Sequence, residues 1–142
     1  MLRQAFLAAS LCGFGLASAL AADLTLTVGG ARSANGSLGL AVFNSESAFP
    51  RAPQAFASVR IKAGQGDAVF TFHGLPPGKY AVSTYHDDND NGKLDTDAFG
   101  FPTEGLGFSN EARVTTTGPP PFAKAAFDLG DEKKSVTIKL VY

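Results

Sequence analysis

The sequence predicts an all-β chain: a seven-stranded antiparallel sandwich with one long loop. Three observations carry that prediction. Apolar runs of strand length recur along the chain with Gly, Pro, Asn and Asp between them. The first of these runs alternates cleanly, Leu24, Leu26 and Val28 against Thr25 and Thr27, which is the period of a half-buried strand. No long segment carries the 3.6-residue period of an amphipathic helix.

The elements follow in order. A first strand covers residues 24–28, and Asn35-Gly36 supplies a hairpin turn. A second strand runs over 37–43, with Leu38, Leu40 and Val42 facing inward. After a loop ending near Pro50 and Pro53 comes a third strand, 57–63, and residues 64–67 turn the chain into a fourth, 68–73, whose inward residues are Val69 or Phe70 together with Phe72. Leu75-Pro76-Pro77-Gly78 is a further turn and launches a fifth strand, 79–86. Residues 124–129 and 135–142 give the sixth and seventh, the last facing inward through Val136, Ile138 and Leu140. Seven short strands at this spacing fit an immunoglobulin-like or transthyretin-like sandwich.

Residues 1–21 have the organisation of a secretory signal peptide, with Arg3 at the start, an apolar run over 6–20 and Ala19-Leu20-Ala21 as a small-residue cleavage site. The run falls short of the roughly 20 unbroken apolar residues that span a bilayer. Residues 22–142 then form a single domain, exported to a bacterial periplasm or the extracellular space, and no stable membrane insertion follows cleavage. The only cysteine, Cys12, lies in the signal segment, so residues 22–142 have no disulfide, thiolate metal site or cysteine nucleophile. Cleavage removes Arg3 and no acid, leaving 11 bases against 13 acids and a net charge of −2. Nothing in that balance attracts nucleic acid. A monomer is expected, and the partner is unknown.

Chemistry is concentrated in residues 87–98. Calcium requires several oxygen ligands, and an EF-type loop supplies them from positions one, three and five, with glycine at six for the turn. Those positions are Asp87, Asn89, Asn91 and Gly92, with Leu94 at eight as an apolar anchor and Asp95 at nine. Position twelve, where a bidentate glutamate belongs, is Ala98; the carboxylates that could replace it are Asp97 and Glu104. The site expected for calcium is therefore Asp87, Asn89, Asn91, Asp95, Asp97 and Glu104. The alternative is a solvated acidic turn, because Asp, Asn and Gly suit any surface loop.

Residues 87–122 break the strand rhythm and hold Phe99, Phe101, Phe108 and Phe122 among glycines and the run Gly118-Pro119-Pro120-Pro121. A segment of that length in a compact domain is functional or disordered, and its aromatics argue against disorder. Two readings stand: the rings cap one end of the sandwich, or Phe99, Phe101 and Phe108 line a cleft for a small molecule or glycan.

Phe72-His73-Gly74-Leu75-Pro76-Pro77-Gly78-Lys79-Tyr80-Ala81-Val82 resembles the closing hairpin of prealbumin-like and collagen-adhesin B-type sandwich repeats. Together with Tyr85-His86-Asp87, the loop residues up to Asp95, Gly100-Phe101-Pro102-Thr103-Glu104-Gly105 and Gly107-Phe108-Ser109-Asn110, it makes the chain resemble a bacterial secreted family catalogued as domain of unknown function 2141. That resemblance implies an exported immunoglobulin-like or transthyretin-like sandwich of unassigned activity. Leu106 stands where the family pattern has tyrosine.

Enzymes of transthyretin-like folds fit poorly. The chain ends Lys139-Leu140-Val141-Tyr142, unlike the Tyr-Arg-Gly-Ser ending of hydroxyisourate hydrolases. An intradiol-type iron site would need nearly every tyrosine and histidine present, and Tyr85 and His86 point to opposite faces of a strand. A nucleophile elbow is missing. His73 reads as a solvated strand-end residue, whereas His86, beside the acidic loop, could join a transition-metal site. The expectation is a non-catalytic exported sandwich with a structural calcium loop; a binding module built on the aromatic segment is the first alternative and an unrecognised hydrolase the second.

Overall fold

The computed structural model describes residues 20–142; the expected signal segment lies outside the described residues except for Leu20 and Ala21. Among the described residues eight strands form: β1 (Ala22–Gly29), β2 (Ser37–Phe43), β3 (Ala57–Lys62), β4 (Ala68–Leu75), β5 (Gly78–Asp87), β6 (Gly105–Phe108), β7 (Phe127–Leu129) and β8 (Lys134–Lys139). A three-stranded sheet has the order β4-β1-β8, and a larger sheet has the order β3-β2-β5-β6, with β7 paired to the start of β5. Only β1 and β8 run parallel; the other pairs are antiparallel. Among the described residues no helix is long and apolar enough to cross a membrane.

The two sheets bury a shared core because their facing residues recur with period two. Leu24, Leu26 and Val28 of β1 meet Leu38, Leu40 and Val42 of β2, Tyr80 and Val82 of β5, and Ile138 of β8. On β4 it is Phe70 and Phe72 that turn inward, their rings 4.9 Å apart and edge to face, while Val69 is 63% exposed.

The larger sheet is buried on its outer face as well, which is why every residue of β2 is buried. Ala41, Phe43, Ala81 and Phe108 form a second core there with Phe49 from the loop after β2 and with Ala125. Phe49 is its hub, its ring 5.3 Å from Phe43, 5.8 Å from Phe108 and 5.9 Å from Phe122, all in edge contacts. Buried Ser109 fastens this layer to the sheet: its Oγ accepts from the Val82 N–H at 2.9 Å and donates to the Ala125 carbonyl at 2.5 Å.

The strand count differs from the seven expected, and glycine explains the difference. β6 reads Gly-Leu-Gly-Phe, and glycine is depleted in strands, so the pattern hides it. Here the glycines answer close approach: a Cβ on Gly105 would lie 2.5 Å from the Tyr142 ring, and one on Gly107 would lie 2.7 Å from Ile138. β6 pairs with β5 from Ser83↔Phe108 to His86↔Gly105, so the long loop is divided by a strand. The expected strand over 124–129 resolves into one helical turn, Phe122–Ala125, followed by β7, and the expected last strand ends at Lys139, with Val141 bridging Leu106 beyond it.

Candidate functional site

β5 delivers Asp87 to the sheet end as a fully buried carboxylate. Its Oδ1 accepts from the Asn91 N–H at 3.0 Å, and its Oδ2 accepts from the Gly92 N–H at 2.7 Å and from the Arg60 guanidinium at 2.5 Å. Burial alone would push this carboxyl up; the guanidinium and the two N–H groups outweigh it and hold the carboxyl below its ordinary value. Arg60 also donates to Asp90 at 2.9 Å and to the Tyr85 hydroxyl at 3.1 Å. Its own pKa is raised, first by Asp87 and then by Asp90.

The reach of Arg60 depends on Gly39. In the ladder Arg60 of β3 lies opposite Gly39 of β2, which lies opposite Tyr85 of β5. A side chain at Gly39 would collide with the Tyr85 ring. Without one, Tyr85 lies across β2 and the guanidinium meets it there.

Beyond Asp87 the polar side chains of the loop turn toward one another. Asn89 and Asn91 both donate side-chain N–H groups to Asp95, at 2.6 Å and 2.8 Å, and these bonds hold the Asp95 carboxyl below its ordinary value. Gly92 takes φ +86°, which the sixth position of such a turn requires. Glu104 is only 2% exposed, although it lies nine residues beyond Asp95 in sequence. Its Oε1 accepts from the Asp88 N–H at 3.2 Å and its Oε2 from the Asp95 N–H at 2.9 Å, so one carboxylate ties both ends of the loop.

Five of the six residues singled out in the sequence thus belong to one hydrogen-bonded cluster. Asp97 stands apart: its Oδ1 accepts from the Phe99 and Phe101 N–H groups, both at 2.9 Å, and closes the next turn. Among the described residues no group of three His, Cys, Asp or Glu gathers as a metal-holding cluster, so a cation here would draw on asparagine oxygens. An amide turned over about its last bond exchanges its nitrogen for its oxygen. The Asn89 and Asn91 oxygens now accept from the Asn91 and Lys93 N–H groups, both at 3.1 Å, so presenting them to a cation where the amides now donate would give up those two bonds.

The other flank of the loop is held by His86, which the sequence offered as a possible transition-metal ligand, and by Tyr142 and Arg32, which it did not single out. His86 is fully buried; its Nε2 donates to the Asn35 carbonyl at 2.8 Å, which leaves Nδ1 to accept from the Tyr142 hydroxyl at 2.7 Å. Both ring nitrogens are engaged in this way. The Arg32 guanidinium lies 4.7 Å from the centre of the Tyr142 ring and pairs with Asp88. His73 is exposed and pairs with Asp23 at 3.0 Å. Among the described residues neither histidine hydrogen-bonds a serine or threonine hydroxyl.

The three phenylalanines expected at a cleft have different fates. Phe99 is 87% exposed, Phe101 is 49% exposed and Phe108 is buried in the second core. Phe101 and Phe108 line one hollow of about 420 Å³, together with Leu106, Val114, Val141 and Tyr142. A neighbouring hollow of about 550 Å³ lies between the outer face of β5 and the loop and is lined by Tyr85, Leu94, Leu106, Phe108 and Val114. Phe99 lines neither.

Residues 26–137 match a family described as "Uncharacterized protein conserved in bacteria (DUF2141)". No curated protein matches the chain, and no solved structure does.

Proposed function

The chain belongs to this bacterial DUF2141 family, and we propose that it is an exported, non-catalytic sandwich whose loop 87–98 holds a structural calcium ion. The observation that carries this reading is the convergence of Asn89 and Asn91 on Asp95, with buried Glu104 closing the same loop. Calcium takes six to eight oxygens at roughly 2.3–2.6 Å. Side-chain oxygens of Asp87, Asn89, Asn91 and Asp95 and the backbone carbonyl at position seven, Lys93, would supply most of them. Glu104 would supply the carboxylate that Ala98 lacks. Arg60 offsets part of the negative charge of Asp87 and Asp90 in the absence of metal. Export rests on the apolar run after Arg3.

A ligand that binds only the folded state stabilises it by mass action. Millimolar calcium should raise the melting temperature of residues 22–142 by several degrees over the value in EDTA. Asp95→Ala, which also gives up the hydrogen bonds from Asn89 and Asn91 and so lowers the EDTA value somewhat, should remove that calcium increment. Identical melting temperatures in all conditions would rule the metal out.

A second reading is favoured by one observation: half-exposed Phe101 faces the same hollow as buried Phe108. A periplasmic small-molecule or glycan-binding module would use Phe101 as its accessible ring. Phe101→Ala should then weaken ligand uptake without altering the melting temperature. A large drop in melting temperature would make Phe101 part of the fold instead.

A further inference from the structure

The hollow of about 550 Å³ beside the loop lies within the size range of small-molecule sites, which are largely apolar with a few polar groups that orient the ligand. Its floor is the outer face of the larger sheet, with Ser83 and Tyr85 from β5 and Leu106 and Phe108 from β6. Leu94 and Thr96 of the loop form one wall, and four prolines, Pro50, Pro53, Pro102 and Pro119, stand around it. Proline fixes φ, so a rim built of prolines resists collapsing into the space it encloses. The hollow is therefore pre-formed, which lowers the ordering cost of binding.

Its polar groups differ in how far they are already committed. The Tyr85 hydroxyl accepts from Arg60. The carboxylate nearest in sequence to Lys93, Asp95, does not line the hollow and is occupied by the Asn89 and Asn91 amides. Lys93 forms no ion pair among the described residues, and the Ser83 hydroxyl makes no hydrogen bond among them. Among the described residues Lys93 is the only charged side chain that lines this hollow. The first hollow, by contrast, is lined by Glu111 as well as by Arg113 and Lys139, which gives it no single charge preference.

We infer that this second hollow is a binding site for a small amphipathic carboxylate. The apolar tail lies on Leu106, Phe108 and Val114 beneath Leu94; the carboxylate meets the Lys93 ammonium and the Ser83 hydroxyl. This assignment is independent of the calcium reading, because the walls and the free ammonium are present without metal.

Calorimetric titration of residues 22–142 in EDTA with decanoate, decanol and decyltrimethylammonium, each below its micellar concentration, tests it. Decanoate should bind one per chain and about tenfold more tightly than decanol, the gain expected of one charge-assisted hydrogen bond. The cation should bind most weakly. Lys93→Met should bring decanoate down to the affinity of decanol and leave decanol unchanged, and Ala52→Trp, at an exposed position on the rim, should block both. Three results would overturn the assignment: no saturable binding, a decanoate preference that survives Lys93→Met, or binding that survives Ala52→Trp in protein with an unchanged melting temperature.

Discussion

The two faces of the larger sheet are buried by different means. Toward the smaller sheet, strands meet strands, and Leu24, Leu26, Leu38, Leu40 and Val42 interlock at the two-residue spacing of the pleat. On the opposite face the cover is loop, one helical turn and aromatic edges centred on Phe49, fastened by the single hydroxyl of Ser109. The first kind of burial follows from local periodicity, and the second depends on residues distant in sequence reaching the same place. A segment without strand rhythm can thus be as buried as a strand. It can also leave hollows, because rings and prolines pack against a sheet less completely than a second sheet does.

Phe49→Ala puts the contrast under the greatest load. Removing a buried ring that makes three aromatic contacts should cost about 3–5 kcal/mol, comparable with Leu26→Ala in the inter-sheet core. Denaturant unfolding should stay a single transition if the outer layer belongs to the cooperative unit. Two separated transitions would mean that it opens by itself.

Glu104→Gln comes next. The substitution keeps one acceptor and points an NH2 group at a backbone N–H, which should cost about 1–3 kcal/mol because the site is buried. The amide protons of Asp88 and Asp95 should exchange faster in this variant, while those of β1 should slow or quicken only with global stability.

Acid should act on the loop end of the molecule more than on the inter-sheet core. Asp87 and Asp95 have folded-state pKa values below their ordinary ones, so their contribution is present above the ordinary carboxylate range and is lost as pH falls through the lower folded values. Stability measured by urea midpoint should decline as pH is taken from about 5 to about 2. Asp87→Asn should flatten that decline, and a slope unchanged in this variant would remove Asp87 as a contributor.

Phe99→Ser should have the smallest effect. With its ring almost wholly in solvent, the change should stay within about 0.5 kcal/mol, against a loss of several kcal/mol for its neighbour in sequence class, Phe108. A large effect at Phe99 would place it under cover from the loop in solution.

Most of the sandwich was legible from Leu24-x-Leu26-x-Val28 and its counterparts, because a half-buried strand writes its burial into alternate residues. β6 was not, since Gly105 and Gly107 are there to let Tyr142 and Ile138 come close, and such tertiary demands have no local signature. The choice between Val69 and Phe70 was also open in sequence; pairing of β4 with β1 settles it by setting which residues face the core. In the loop, the ligand-like spacing from Asp87 to Asp95 was readable, and so was Glu104 as the carboxylate that could join it. Arg60 and Gly39 were not, because their roles appear only when β3, β2 and β5 lie side by side. An arginine opposite a glycine on adjoining predicted strands was the one faint signal.

Nuclear magnetic resonance of the backbone amides during a calcium titration would show whether the loop takes the ion. Calcium in the loop predicts saturable shifts at Asp88, Asn91, Gly92 and Asp95, whose N–H groups hydrogen-bond carboxylates or amides of the same cluster, with β1 amides unmoved. The shifts should be absent in Asp95→Ala. Loop amides that stay in place up to millimolar calcium would contradict it.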